Sequence, residues 1–110
     1  MYKLGDMFSF GNHVDKNADA AFFWYMEAFR HGQKDKEVAP NIKYRLGRCF
    51  LHGYGTEKNI MSALVLLQEA EIEFFKLIEE NDPFAKFTLP KVKKELENAR
   101  AMMYHAVGLD

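Results

Sequence analysis

Apolar residues recur at three- and four-residue steps along most of the chain, the spacing that places them on one side of an α-helix. A first stretch carries Leu4 and Phe8 and ends at Gly11, and a second runs from a cap at Asn17 to Gly32. No segment shows sustained alternation with a period of two. The pattern therefore predicts helices and no strands.

Three further helices are predicted after charged or glycine-rich connections. Pro40 is expected in the first turn of the third helix, and Asn59 caps the fourth. The fourth continues to residues 81–83 (Asn-Asp-Pro), which end it, and residues 83–87 are expected to be irregular or to form a single turn. Thr88 then caps a last helix with Pro90 in its first turn, one apolar side and one charged side. The last element of a stack needs such a polar outer surface.

The first two helices are repeated later in the chain. Residues 2–28 align with residues 44–70 at an offset of 42, without a gap and with ten identities in 27 positions. Average residue usage would give about two. The identical pairs are Tyr2/Tyr44, Leu4/Leu46, Gly5/Gly47, Phe8/Phe50, Gly11/Gly53, Lys16/Lys58, Asn17/Asn59, Ala21/Ala63, Glu27/Glu69 and Ala28/Ala70. A self-match with such a period is typical of proteins built from stacked helical repeats.

Each copy has a glycine inside its first helix, Gly5 in one and Gly47 in the other. A glycine there costs about 1 kcal/mol relative to alanine, so we expect both to allow the second helix of the pair to approach closely. Phe8 and Phe50 are expected to pack against that second helix, and the apolar stripe of Leu4 to face inwards with them. The loop glycines after the third helix are interpreted as helix caps.

The repeated residues resemble the Sel-one-like repeat, a relative of the tetratricopeptide repeat with the pattern L-G-x-x-Y-x-x-G-x-G-V, a cap, and A-x-x-W-Y-x-x-A-A. The first copy matches at Leu4, Gly5, Phe8, Gly11, Val14, Ala21, Trp24, Tyr25 and Ala28, and the second at Leu46, Gly47, Phe50, Gly53, Gly55, Ala63 and Ala70. The copies depart from it at His13, at Thr56 and at Leu66-Leu67. The resemblance implies an all-α, right-handed α-solenoid of αα-hairpins, with about two repeats and a C-terminal capping helix.

We expect one domain over residues 1–110. Its parts are repeat one at 1–32, a linker at 33–39, repeat two at 40–80 and a capping helix at 88–107. The repeat pattern starts directly after Met1, which favours a fragment of a longer solenoid over a naturally short start.

Charge and composition narrow the function classes. The 15 Lys and Arg residues are matched by 16 Asp and Glu, so the net charge of −1 gives no general field for nucleic acid. Cys49 is the single cysteine, which rules out an internal disulfide and suits a reducing compartment. No stretch has the roughly 18 consecutive apolar residues of a membrane span. No signal-peptide pattern opens the chain, and we expect a cytoplasmic protein.

The resemblance implies a non-catalytic scaffold that binds a protein or peptide partner and uses no cofactor. In such solenoids the first helices of each pair line the concave side, so the residues beside their apolar stripes are candidate contacts. These are Lys3, Asp6, Phe10, Arg45, Arg48 and His52. Arg45 and Arg48 would bind an acidic or C-terminal carboxylate group. Ordinary solvated charges are the simpler interpretation, and it stays open at this point.

Two alternatives are kept beside the scaffold. Cys49 and His52 lie one turn apart and could serve a small metal-binding or enzymatic bundle, but a zinc site needs three or four ligands and no second pair has ligand spacing. The chain could also be an accessory module of a larger multidomain protein. Separately, Phe22 or Phe23 is surplus to the packing positions of its helix, and would be covered by a neighbouring repeat (a preceding one first of all), by a second copy or by a partner.

Overall fold

A computed structural model gives the structure of the protein and describes residues 2–12, 14–32 and 34–109. It contains the helices α1 (Tyr2–Phe10), α2 (Ala18–His31), α3 (Val38–His52), α4 (Ile60–Glu79) and α5 (Ala85–Ala106). These residues include no strand, and none of their helices is long and apolar enough to cross a membrane. Helix α1 packs on α2, α3 on α4, α2 on α3, and α5 closes the stack against α4. The predicted all-α solenoid of two hairpins with a final helix is confirmed.

The two hairpins are built by the same local interactions at the same offset. The side-chain oxygen of Asn17 caps α2 and that of Asn59 caps α4, each accepting a backbone N–H at 3.0 Å. The backbone N–H of each asparagine also donates to the carbonyl of Phe8 or Phe50, at 2.9 Å in both copies. Both predicted caps are confirmed, and each fixes the same chain path from the first helix to the second.

Both helical glycines lie at a close approach between helices. A Cβ atom on Gly5 would lie 2.4 Å from the ring of Tyr25, and one on Gly47 would lie 2.7 Å from Cγ of Leu67. Tyr25 and Leu67 occupy equivalent positions of the two copies. The predicted role of the two glycines is therefore confirmed, since neither site has room for a side chain.

Helix α3 is the centre of the core. Eight of its residues are buried, and residues of α3 belong to both hydrophobic clusters. The cluster between the hairpins consists of Ala21, Tyr25, Ala28, Ile42, Leu46 and Cys49. The other cluster lies among α3, α4 and α5, around Leu51, Leu67, Phe74 and Leu96. Leu4 departs from the expected inward position, because it is 38% exposed where the equivalent Leu46 is 1% exposed.

The two neighbouring phenylalanines of α2 differ in their environment. The ring of Phe22 meets the ring of Phe50 edge to face, with 5.6 Å between centroids, so Phe22 belongs to the contact between hairpins. Phe23 is 54% exposed and lies beside Trp24. Of the two, Phe23 is therefore the residue left without a place in the core.

The loop after α3 also joins the hairpins, in a way the sequence analysis missed. Gly53 ends α3 in the left-handed conformation with φ of 69°, as expected of a cap. Gly55 is not a cap. Its φ is +73°, and a Cβ atom there would lie 2.2 Å from the carbonyl oxygen of Ala18 in α2. Gly55 lets the loop of repeat two lie on the start of α2. The equivalent residue of repeat one, His13, is outside the described residues.

Two helices begin earlier than predicted because aspartate side chains cap them. Asp35 accepts hydrogen bonds from the backbone N–H groups of Glu37 and Val38, at 2.9 and 3.0 Å, so α3 begins before Pro40 and inside the predicted linker. Such Asx contacts are a known start signal for a helix. Here the signal lies three residues before the helix.

The last helix shows the same correction. Asp82 accepts from the backbone N–H groups of Phe84 and Ala85, at 2.8 and 3.1 Å, and α5 begins at Ala85 instead of residue 88. Thr88 lies inside the first turn and donates to the carbonyl of Phe84 instead of capping the helix. Pro90 consequently falls within the helix, in its second turn.

Candidate interaction groove

A groove of about 400 Å³ lies between the ends of α1 and α3. We call it the inter-repeat groove. The residues lining it are Ser9, Phe10, Lys16, Tyr25, Arg45, Arg48, Cys49, His52 and Tyr54. It exists because the hairpins stack, since repeat one supplies four of these residues and α3 with its following loop supplies the rest.

The helical period of α3 brings its charged residues into the groove. Arg45, Arg48 and His52 are three and four residues apart and share one side of the helix. Cys49 lies among them but points towards the core, where it is 2% exposed. One helix thus presents a row of cationic or cation-capable side chains beside α1.

Arg45 is held by repeat one. Its Nε donates to Oδ1 of Asp6 at 2.7 Å and its Nη2 donates to Oδ2 at 2.9 Å, a bidentate pair. The hydroxyl of Tyr25 also donates to Oδ1 of Asp6, at 2.6 Å, and the guanidinium lies 4.5 Å from the centre of the Tyr2 ring. Two of the predicted partner contacts, Asp6 and Arg45, therefore bind each other and fix α1 against α3.

The titration of this cluster follows from its burial. Burial raises the pKa of the Tyr25 hydroxyl most, and the hydrogen bond and charge of Asp6 raise it further. For Arg45 burial is the largest influence and lowers the pKa, but the hydrogen bond and the charge of Asp6 outweigh it, and the pKa is raised overall. Arg45 therefore remains charged, and Tyr25 remains a donor, throughout the neutral range.

Arg48 and His52 turn instead towards the capping helix. Nε2 of His52 lies 2.8 Å from Oε2 of Glu95, and Nε of Arg48 lies 3.5 Å from the same oxygen. Each of these two side chains is 46% exposed, whereas that of Arg45 is 19% exposed. Helix α3 thus forms an ion pair with α1 and another with α5, and it supplies the cation in both.

The remaining predicted contacts separate into two places. Phe10 lines the inter-repeat groove and is 57% exposed. Lys3 lines a different cavity, of about 550 Å³, near the starts of α3 and α5. The structure therefore brings Phe10, Arg45, Arg48 and His52 together and places Asp6 beneath Arg45, whereas Lys3 lies elsewhere.

Lys16 is a lining residue that the sequence analysis did not select. A Cβ atom on Gly11 would lie 2.9 Å from Cγ of Lys16, and one on Gly53 would lie 3.0 Å from Cγ of Lys58. The lysine stem therefore covers the loop glycine in both repeats. The identity of Lys16 and Lys58 in the aligned copies was the available signal for this shared position.

Cys49 is positioned as a packing residue. Burial raises the pKa of its thiol from 9.0 to about 12, and the nearby Arg48 lowers it only in part. A thiol that stays protonated at neutral pH is a weak nucleophile and a poor metal ligand. Within residues 2–12, 14–32 and 34–109, no three His, Cys, Asp or Glu side chains are grouped as a metal site would require.

Comparison with known proteins identifies the repeat. The family model described as Sel1 repeat matches residues 1–33 and 43–71, more than half of the chain. Searches of curated proteins and of solved structures gave no match. Sel1 repeats are generally protein–protein interaction modules and are typically non-enzymatic. The matched segments coincide with the two copies found by self-alignment, and the chain belongs to the Sel1 repeat family.

Proposed function

We propose that the protein is a non-catalytic interaction scaffold and that the inter-repeat groove holds a peptide segment of a protein partner. The observation that carries this proposal is the composition of the groove. Exposed aromatic and charged side chains from two repeats converge on one concavity of about 400 Å³. Pockets that bind small molecules usually measure about 300–1,000 Å³, so a concavity of this size has room for one or two side chains of an extended segment.

The lining residues have two different tasks in this proposal. Asp6 and Arg45 form the fixed frame, because their bidentate contact joins the repeats and leaves Arg45 largely covered. Phe10, Arg48 and His52 are the exposed contacts at the rim. Lys3 would meet only a partner that extends beyond the groove to the opposite ends of the helices.

Phe10 gives the sharpest test, because Phe23 is a matched control. Both are phenylalanines on repeat one, 57% and 54% exposed, but Phe23 does not line the groove. Peptides are selected by display against the full chain, and their dissociation constants are measured by fluorescence anisotropy for Phe10→Ala and Phe23→Ala. Loss of an aromatic anchor typically costs at least 1.4 kcal/mol, so Phe10→Ala should weaken binding about tenfold.

Phe23→Ala should leave the same dissociation constants unchanged. Selected peptides that bind Phe10→Ala as tightly as the parent would contradict the groove as the binding site. The control also tests the predicted self-association, since only Phe23 of the Phe22/Phe23 pair is left exposed. If two copies meet there, sedimentation velocity will show a concentration-dependent dimer that Phe23→Ala abolishes.

A further inference from the structure

We infer that the segment held by the inter-repeat groove is acidic, and that Glu95 of the capping helix competes with it for Arg48 and His52. The inference rests on the proposed function, because it names the chemistry of the partner at the same site. It depends on the charges that line the groove and on the carboxylate that the structure already places between two of them.

The charged side chains that line the groove are basic. Lys16, Arg45 and Arg48 line the groove together with His52, and the described residues lining it include no Asp or Glu. Lys16, Arg45 and Arg48 outnumber the two carboxylates that contact them, Asp6 and Glu95, so the groove has a local excess of positive charge although the full chain has a net charge of −1. A concavity lined by one sign of charge raises the local concentration of ligands with the opposite sign.

The cations of the groove differ in how far they are exposed to a ligand. Asp6 neutralises Arg45 with two hydrogen bonds and holds it at 19% side-chain exposure. Arg48 is bound less completely, through a contact of 3.5 Å to Glu95 and a cation–π contact 5.5 Å from the centre of the Tyr44 ring, and is 46% exposed. A ligand therefore meets Arg48 and His52 before it meets Arg45.

Glu95 contacts both Arg48 and His52. One carboxylate oxygen lies 2.8 Å from Nε2 of His52 and 3.5 Å from Nε of Arg48, while Nδ2 of Asn98 donates to the other oxygen at 3.0 Å. The pair Arg48 and His52 is thus spaced to receive one carboxylate. Glu95 reaches it from the α5 side, and because the side chains of Arg48 and His52 are each still 46% exposed, the outer side of the pair stays open to solvent.

The groove also presents an exposed apolar side chain to a ligand. Phe10 is exposed at the rim of the groove, and the hydroxyl of Tyr54 donates to the carbonyl of Ser9 at 3.3 Å, which holds the loop of repeat two against α1. Neighbouring side chains of one peptide segment can contact both residues, a carboxylate at Arg48 and an apolar group at the ring of Phe10. The fitting ligand is an acidic peptide with a large apolar residue beside its carboxylates.

Three fluorescein-labelled probes test the charge preference. They are pentapeptides with one central phenylalanine and four flanking aspartates, four asparagines or four lysines. The aspartate probe should bind most tightly, and its affinity should fall as salt is raised from 20 to 300 mM, since exposed charge interactions are screened. Arg48→Ala should weaken it about tenfold, as expected for a hydrogen bond to a charged group. Arg30→Ala, on α2 and outside the groove, is the control for lost charge.

Glu95→Gln tests the competition and should strengthen binding of the aspartate probe about three- to tenfold. Glutamine keeps the shape of the side chain and the oxygen that accepts from Asn98, but it removes the negative charge that Arg48 and His52 share. The expected gain in affinity corresponds to the free energy of a partly exposed ion pair. Glu97→Gln, on the exposed side of the same helix, should leave binding unchanged. Urea midpoints of both variants are measured beside the titrations. Should Glu95→Gln shift its midpoint, Glu95→Ala in the same titration must still bind the aspartate probe more tightly than the parent.

The outcomes separate this inference from the proposed function. Tighter binding of the asparagine or lysine probe, weakened by Phe10→Ala, would overturn the acidic preference and leave the groove as the site. Unchanged affinity in both Glu95 variants would overturn the competition. Failure of every probe and of every display-selected peptide to depend on Phe10 would count against the proposed function itself.

Discussion

Leu4 and Leu46 occupy the same position of two aligned repeats, yet one is 38% exposed and the other 1% exposed. The difference comes from their neighbours. Leu46 packs in a cluster with residues of α2 from the first hairpin. Among the described residues, no equivalent helix lies beside Leu4. Among the described residues of α1 only Gly5 is buried, while α3 buries eight. The repeated sequence therefore determines the shape of each hairpin, and the stack determines how much of it is buried.

This comparison indicates where the stability of the protein lies. Stacked repeats are stabilised by each unit and by the contacts between adjacent units. Helix α3 takes part in both, since it packs within its own hairpin and against α2. The contact between the hairpins and the groove beside it have the same origin, so changes that open the first will also deform the second.

The largest difference is expected between Leu46→Ala and Leu4→Ala. Truncating a fully buried leucine typically costs about 2–5 kcal/mol, whereas a partly exposed side chain costs less than about 1 kcal/mol. Urea denaturation at 25 °C followed by circular dichroism gives both free energies of unfolding. Equal losses in the two variants would show that the aligned positions are equally buried, contrary to the structure.

Gly55→Ala should destabilise the contact between hairpins by about 2–4 kcal/mol. A non-glycine residue in the left-handed region costs about 1–2 kcal/mol, and the new methyl group would also meet the carbonyl of Ala18 in α2. The control is Gly53→Ala, which has the same sign of φ but meets only the flexible stem of Lys58. Thermal unfolding should show the larger loss for Gly55→Ala, and a smaller one would remove the close approach from the account.

Gly47→Leu should lower the free energy of unfolding by about 1–3 kcal/mol, the usual cost of overpacking. The equivalent change, Gly5→Leu, meets Tyr25 at the same position of repeat one. It should cost less, because α1 can be displaced without disturbing α4 or α5. Chemical denaturation of both variants measures this, and unchanged stability of Gly47→Leu would contradict the role assigned to the glycine.

Cys49 should make stability fall at alkaline pH. Below its ordinary pKa of 9.0 the thiol is protonated in both the folded and unfolded chain, so it adds no pH dependence there. Between 9.0 and about 12 only the unfolded chain loses the proton, which favours unfolding. The expected loss from pH 8 to pH 10 is about 1 kcal/mol. Urea titrations should show a loss in the parent that is larger by this amount than the loss in Cys49→Ala, where the raised pKa of Tyr25 still contributes. An equal loss in both would mean that the thiol is not held protonated.

The sequence predicted the features that depend on neighbouring residues. The helices, the asparagine caps at Asn17 and Asn59 and the glycines at close approach all follow from residue types at fixed offsets, and the second copy confirmed each assignment in the first. Helix starts were less accurate, because Asp35 and Asp82 cap helices from several residues before them.

Features that depend on the register of the stack could not be predicted. Arg45 appeared available for a partner, but it is bound by Asp6, 39 residues away. His52 finds Glu95 at a separation of 43 residues, on a helix outside the repeat. Gly55 looks like a second loop glycine until α2 of the other hairpin is placed against it. Partner choice across such distances depends on how α1, α3 and α5 align, and no local pattern encodes that alignment.

One unfolding titration tests the stacking of the hairpins directly, because the chain has a single tryptophan and a single cysteine. Trp24 fluorescence reports repeat one, and the rate of Cys49 labelling by a thiol reagent reports the cluster between the hairpins. If the hairpins unfold together, the two signals will have coincident urea midpoints, and Leu46→Ala will move both to lower urea. Labelling of Cys49 at urea concentrations where Trp24 keeps its native fluorescence would show that the hairpins separate while folded, and would contradict the account.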